Sequence, residues 1–327
     1  MTEQLVVNQT LDSAARQSLD NVGTMRRRTK IELCVFFGAT LALMYILCFT
    51  VVLFLAPMQA FSLRHLGGID PQLMLYVAAY SPTMVAIALT AIIGGRAGLR
   101  RLFFSVFRWR VGISGWLIAT LGIPGVWLGV AILRHFTTGA AISWVSWYTS
   151  FPLLFFSTYL FTDTGGLGEE TGWRGYAMPR LLEGFSPAMS GLIVGFFFGI
   201  WHLPGWFLTG LGGHFAQMDF AMFVGFTMVL SVIMAYLYVR TGGSVLLAGI
   251  LPHLIGNIGG ETSVMFYQNT WEYLGYLAIF TLILVTVYAR TMFAGPPFDP
   301  SLSPQFYTLA EQREGAAMFA DGRGTAA

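Results

Sequence analysis

Charge is what this chain has least of. Only 10% of its 327 residues are Asp, Glu, Lys or Arg, while 55% are apolar; ordinary globular proteins carry roughly 25% charged residues. That balance excludes a soluble protein of one or two domains and implies a polytopic membrane protein. The net charge of +2 is too small to suggest a nucleic-acid partner. Cysteine is also scarce. Cys34 and Cys48 lie on one predicted helix, roughly 21 Å apart at about 1.5 Å per residue. A disulfide needs Cα atoms within about 7 Å, so the pair carries no redox role. No Gly-x-Ser-x-Gly and no His-Glu-x-x-His sequence is present, which leaves serine-hydrolase and zincin chemistry without support.

Apolar runs of about 20 residues, the length that crosses a bilayer, recur instead. They fall near 31–56, 71–94, 112–134, 143–163, 186–208, 219–239, 244–260 and 271–292. The expected fold is an all-α polytopic membrane protein of about eight transmembrane helices around a central cavity. Residues 1–30 form a polar arm ending in Arg26-Arg27-Arg28-Thr29-Lys30. The apolar run after it is too long for a signal-peptide core, so no cleavage is expected. Residues 31–292 form the transmembrane domain. Residues 293–327, with Pro296, Pro297, Pro300 and Pro304, are polar and expected to be disordered. With this layout every basic residue except Arg64 and Arg134 falls on one side. The positive-inside rule then places both termini, and the loop that carries Glu169 and Glu170, in the cytoplasm.

Three segments concentrate polar side chains within this apolar sequence. The first is Gly165-Gly166-Leu167-Gly168-Glu169-Glu170-Thr171-Gly172-Trp173-Arg174. In a helix starting after its glycine-rich break, Glu170 and Arg174 stand at i and i+4 with the acid first, the favourable order for an ion pair. Glu169 has Trp173 at i+4, which leaves it beside an apolar ring as a general base. A solvated acid pair at a cytoplasmic helix start is an equally ordinary reading of these residues alone.

The second segment places Phe198 and His202 after Gly191, Gly195 and Gly199, a ridge along which another helix packs closely. The third sets His253 and Asn257 on one helical face, with Pro252 before them. Side by side, an imidazole and a carboxamide present donors suited to an oxyanion, or serve as hydrogen-bond glue between helices. The depth count is difficult. His202 is roughly 24 Å into a span that starts near Ser186, whereas Glu169 is expected near the cytoplasmic face. The two meet only if residues 165–183 lie at membrane depth, lining a wet cavity.

Together, Glu169-Glu170…Arg174, Phe198…His202 and His253…Asn257 resemble the motifs of the CAAX prenyl protease and bacteriocin-processing family, also called Abi. The resemblance covers about 145–260. It implies a glutamate-type intramembrane endopeptidase in a bacterial plasma membrane, with no cofactor, acting on a peptide or lipidated protein. By that resemblance Glu169 activates a water that His202 helps to position. His253 and Asn257 hold the oxyanion, while Glu170 and Arg174, with Trp173 and Phe198 nearby, support the site. The alternative on the same fold is a non-catalytic binding or bacteriocin self-immunity protein. A zinc site of one Glu and two His is a third reading, disfavoured because Asn is a poor ligand and Glu169 would cease to be a base. A transporter is the last, since the early spans lack polar residues.

Overall fold

The computed structural model describes residues 27–139, 141, 164–208, 219–262 and 270–293. Among these every regular element is helical. Helix α1 (Arg27–His65) is 39 residues long, about 58 Å at the α-helical rise, which exceeds a hydrocarbon core of about 30 Å. It is not straight. Pro57 lies inside it, and Phe54, three residues earlier, leaves the helical region at φ −123°, ψ 15°, where a proline ring disturbs the preceding turn. Helix α2 (Leu73–Ala79) is followed by α3 (Ser81–Val106), which is broken at Gly95, and by α4 (Ile113–Thr138).

The glutamate segment is a helix, not a loop. It runs as α5 (Thr164–Gly172), a π-helical turn (Trp173–Ala177) and a closing turn α6 (Met178–Leu181). The glycine-rich stretch read above as a break lies inside α5. Its glycines serve packing instead: a Cβ at Gly168 would stand 3.2 Å from the Tyr80 ring, and one at Gly172 would strike the Pro82 backbone at 2.5 Å. Glycine's helix cost of about 1 kcal/mol is offset here by close approach to the start of α3.

Helix α7 (Pro187–Trp201) opens on Ser186, whose hydroxyl accepts from the Met189 amide, and passes at His202 into a 3₁₀ turn, Leu203–Phe207. Pro204 cannot continue the α-helical ladder. Helix α8 (Phe220–Arg240) is capped by Asp219. Its backbone lies in the glycine ridge of α7: a Cβ at Gly195 would collide with Met228 Cα, and one at Gly191 would come within 2.7 Å of Val232 Cα. The Thr227 hydroxyl donates across this seam to the Gly195 carbonyl at 3.0 Å. A second π-helical turn (Leu246–Ile250) leads into α9 (Leu251–Thr262), followed by α10 (Thr270–Val287) and α11 (Ala289–Phe293).

By length and composition four of these helices are long and apolar enough to cross a membrane: Arg27–His65, Ser81–Val106 when counted across its break at Gly95, Pro187–Phe207 and Phe220–Arg240. Shorter apolar stretches occupy Ile113–Gly122, Leu246–Ile255 and Leu277–Val287. The span expected at 143–163, residues 1–26 and residues 294–327 lie outside the described residues, while residues 27–30, expected in the polar arm, begin α1.

One end of the bundle gathers the start of α1, the turn after α6 and the loop after α8. Arg180 Nε pairs with Glu32 Oε2 at 2.9 Å, and the Thr29 hydroxyl donates to Glu183 at 2.7 Å. Arg28 closes on Glu32 from solvent, and the Arg180 guanidinium stacks over the Tyr176 ring. Deeper in, Phe36, Phe37, Trp173, Tyr176 and Trp201 form a buried aromatic core between α1, the π turn and α7.

Candidate functional site

Glu170 lies ten residues from Arg180, about 15 Å along the helix. His253 lies nine residues from Ser244 in the loop at the same end, about 14 Å by the same count. The two therefore meet at a common depth. Glu170 Oε1 stands 2.7 Å from His253 Nδ1, and its carboxylate also pairs with Arg174 Nη1 at 2.9 Å. Glu170 is 0% and Arg174 2% exposed. Arg174 Nη2 extends the network to the Ser231 hydroxyl and to Met234 Sδ on α8, each at 3.0 Å.

This contact is close because position 249 has no side chain. A Cβ at Gly249 would lie 2.8 Å from Glu170 Oε2. The π turns stand directly beside the same groups: Arg174 is within the first, and Gly249 and the approach to His253 form the second. Such single π turns are frequent at functional sites, and their extra residue shifts the register of the helix beyond them.

The Phe198 ring links this network to His202. It is 4.6 Å from the His202 ring and 5.8 Å from the His253 ring, centre to centre, and the Arg174 guanidinium sits 5.8 Å from its centroid. Trp173 packs on the other edge of Phe198 at 5.8 Å. His202 Nδ1 donates to the Phe198 carbonyl at 2.9 Å, so in the neutral ring Nε2 is the acceptor. Glu169, one residue before Glu170, is buried at 6% exposure, and Asn257 is half-buried one turn beyond His253.

The predicted ion pair of Glu170 and Arg174 is present. Trp173, the predicted indole neighbour of Glu169, packs in the aromatic core with Phe198 and Trp201. Sequence spacing did not reveal three partners: the Glu170–His253 pair, Ser231 and Gly249. A lone serine in an apolar span, where polar groups turn inward, was the one signal available for Ser231. Among the described residues no three His, Cys, Asp or Glu are grouped so as to hold a metal ion.

A cavity of about 660 Å³ lies elsewhere, between the C-terminal half of α1 and α2, lined by residues such as Phe54, Pro57, Phe61 and Met74.

No curated protein matches the chain. Residues 149–259, which take in Glu169, Glu170, Arg174, His202, His253 and Asn257, match the family model of the type II CAAX prenyl endopeptidases, Rce1-like.

Proposed function

We propose that this membrane protein is an intramembrane endopeptidase in which Glu169 is the base and Glu170 the clamp. The observation that supports this most is the buried Glu170 carboxylate, held by Arg174 and bonded in turn to His253 Nδ1. Glu170 is fully committed to these two groups, which suits a residue that orients others rather than one that exchanges protons with water. Glu169 points about 100° away around the helix from this clamp, and it is the carboxylate assigned to act on water.

In this reading Glu169 takes a proton from a water that donates its second hydrogen bond to His202 Nε2. The resulting hydroxide attacks the scissile carbonyl. His253 has Nδ1–H committed to Glu170, so it donates to the tetrahedral oxyanion through Nε2–H only when its ring carries both protons. The Glu170 carboxylate is the counter-charge that such an imidazolium needs, and the Asn257 amide is the second donor. The protonated Glu169 then gives its proton to the leaving amine. No metal or other cofactor takes part in this reading. The substrate is a peptide or lipidated protein that enters from the bilayer.

The test is turnover of a fluorogenic prenylated C-terminal peptide by purified protein in detergent, with and without a chelator. Activity abolished in Glu169→Gln and insensitive to chelation is the expected result. Undiminished turnover in Glu169→Gln would assign the base elsewhere.

A further inference from the structure

The segment Arg96-Ala-Gly-Leu-Arg100-Arg101-Leu-Phe-Phe-Ser-Val-Phe-Arg108-Trp-Arg110 has no acidic residue and interleaves five arginines with four large aromatics. The structure gives it a separate orientation. Gly95 takes φ 54°, ψ −150°, a region closed to residues with a Cβ. Beyond it the chain folds back on itself: a Cβ at Gly98 would lie 3.1 Å from Thr90 Cγ2, where a straight helix would separate those levels by about 12 Å. The second half of α3 is thus a bent-over element and not the continuation of a span.

Its two faces differ. Gly98, Leu102 and Val106, four apart, are buried. Phe103, Phe104, Phe107 and Trp109 are 51 to 59% exposed, and Arg96, Arg100 and Arg110 are exposed beside them. Arg100 and Arg110 each lie 5.4 Å from the ring centre of Phe104 and Trp109 respectively. Arginines do not face hydrocarbon, and a cluster of four aromatics is not left to water. A surface that wants both belongs at the headgroup level, where cationic side chains meet lipid phosphates and aromatic rings sink below them.

We propose that residues 96–110 form a docking surface for anionic lipid headgroups, and that its occupant braces both segments of the candidate site. Leu102 Cδ1 lies 3.0 Å from the Cβ position of Gly175, next to Arg174 in the first π turn. Arg108 Nη1 donates to the Gly242 carbonyl at 2.5 Å, and the Ser244 hydroxyl donates to the Arg108 carbonyl at 2.6 Å while accepting from the Leu247 amide. Ser244 therefore caps the second π turn, which leads to His253. A ligand that binds the folded surface stabilises whatever that surface is packed upon.

The full-length protein in non-ionic detergent is doped with phosphatidylglycerol or phosphatidylcholine, and its unfolding midpoint and retained lipids (by native mass spectrometry) are read. Phosphatidylglycerol is expected to be retained and to raise the midpoint, whereas phosphatidylcholine and free glycerol phosphate leave it unchanged. Each of Arg96→Gln, Arg100→Gln and Arg110→Gln is expected to weaken retention about fivefold. The triple Arg→Lys variant, which keeps the charge and controls for folding, is expected to retain the lipid. Equal shifts with both lipids, an undiminished response in the triple Gln variant, or equal stabilisation by glycerol phosphate would each overturn the proposal. None of these readouts depends on peptidase activity.

Discussion

Glu169 and Glu170 are adjacent in sequence yet about 100° apart around a helix, so their carboxylates point to different sides of α5. Glu170 is the one that meets His253 and Arg174. Removing one member of a buried, hydrogen-bonded charge network strands the others and costs about 3–5 kcal/mol. Glu170→Ala is therefore expected to lower the unfolding midpoint as well as activity, while Glu169→Gln loses turnover at an unchanged midpoint. Thermal unfolding measured beside turnover separates the two, and equal midpoints for both variants would remove the clamp role. Gly249→Ala is a gentler probe, since its methyl would arrive 2.8 Å from Glu170 Oε2. Overpacking of this kind costs about 1–3 kcal/mol, and displacement of Glu170 from His253 is expected to cut kcat more than KM. The i, i+4 pair of Glu170 and Arg174 was legible in the sequence because helical spacing encodes it. The reach from Glu170 to His253, 83 residues away, was not, because no local period says which helices face each other.

At the scale of elements, the glycine ridge of α7 was readable and the glycines of α5 were misread by the same rule. Both are runs of small residues at helical spacing. The fourfold spacing of Gly191, Gly195 and Gly199 reads as a packing face, whereas the cluster Gly165, Gly166 and Gly168 reads as a break. Charge near a glycine run reads as solvent exposure only when the charges are solvated, and here Glu169, Glu170 and Arg174 are all buried. The π turns left no sequence signal either, since their extra residue is imposed by what they pack against. The ridge yields a direct test. Gly195→Ala places a Cβ into the α8 backbone at Met228, whereas Gly275 has nothing within 4 Å of its Cβ position. Gly195→Ala is expected to destabilise by about 1–3 kcal/mol and to lower the yield of folded protein, with Gly275→Ala near wild type. Equal midpoints for the two variants would mean that α7 and α8 are not held at the distance the ridge sets.

For the molecule as a whole, both site-bearing segments are anchored at the end of the bundle where Arg28, Arg108 and Arg180 gather, and each reaches about 15 Å inward from it. This resolves the depth conflict in the sequence, where a cytoplasmic loop and a deeply placed histidine could not meet: the glutamates are carried inward on a helix. The positive-inside rule predicts that the arginine-rich end faces the cytoplasm, and the site is proposed to open toward that side. Thiol accessibility decides it. Cys34 and Cys48 are the only cysteines, so a Cys34→Ser/Cys48→Ala background accepts single reporters. Arg110 is exposed at the arginine-rich end, and Gly67 lies in the exposed turn between α1 and α2, which the same rule puts outside. In sealed right-side-out vesicles, a membrane-impermeant maleimide is expected to label Gly67→Cys and to leave Arg110→Cys unmodified until detergent is added. The opposite pattern would invert the protein in the membrane, and with it the side from which water and the released peptide pass to the site.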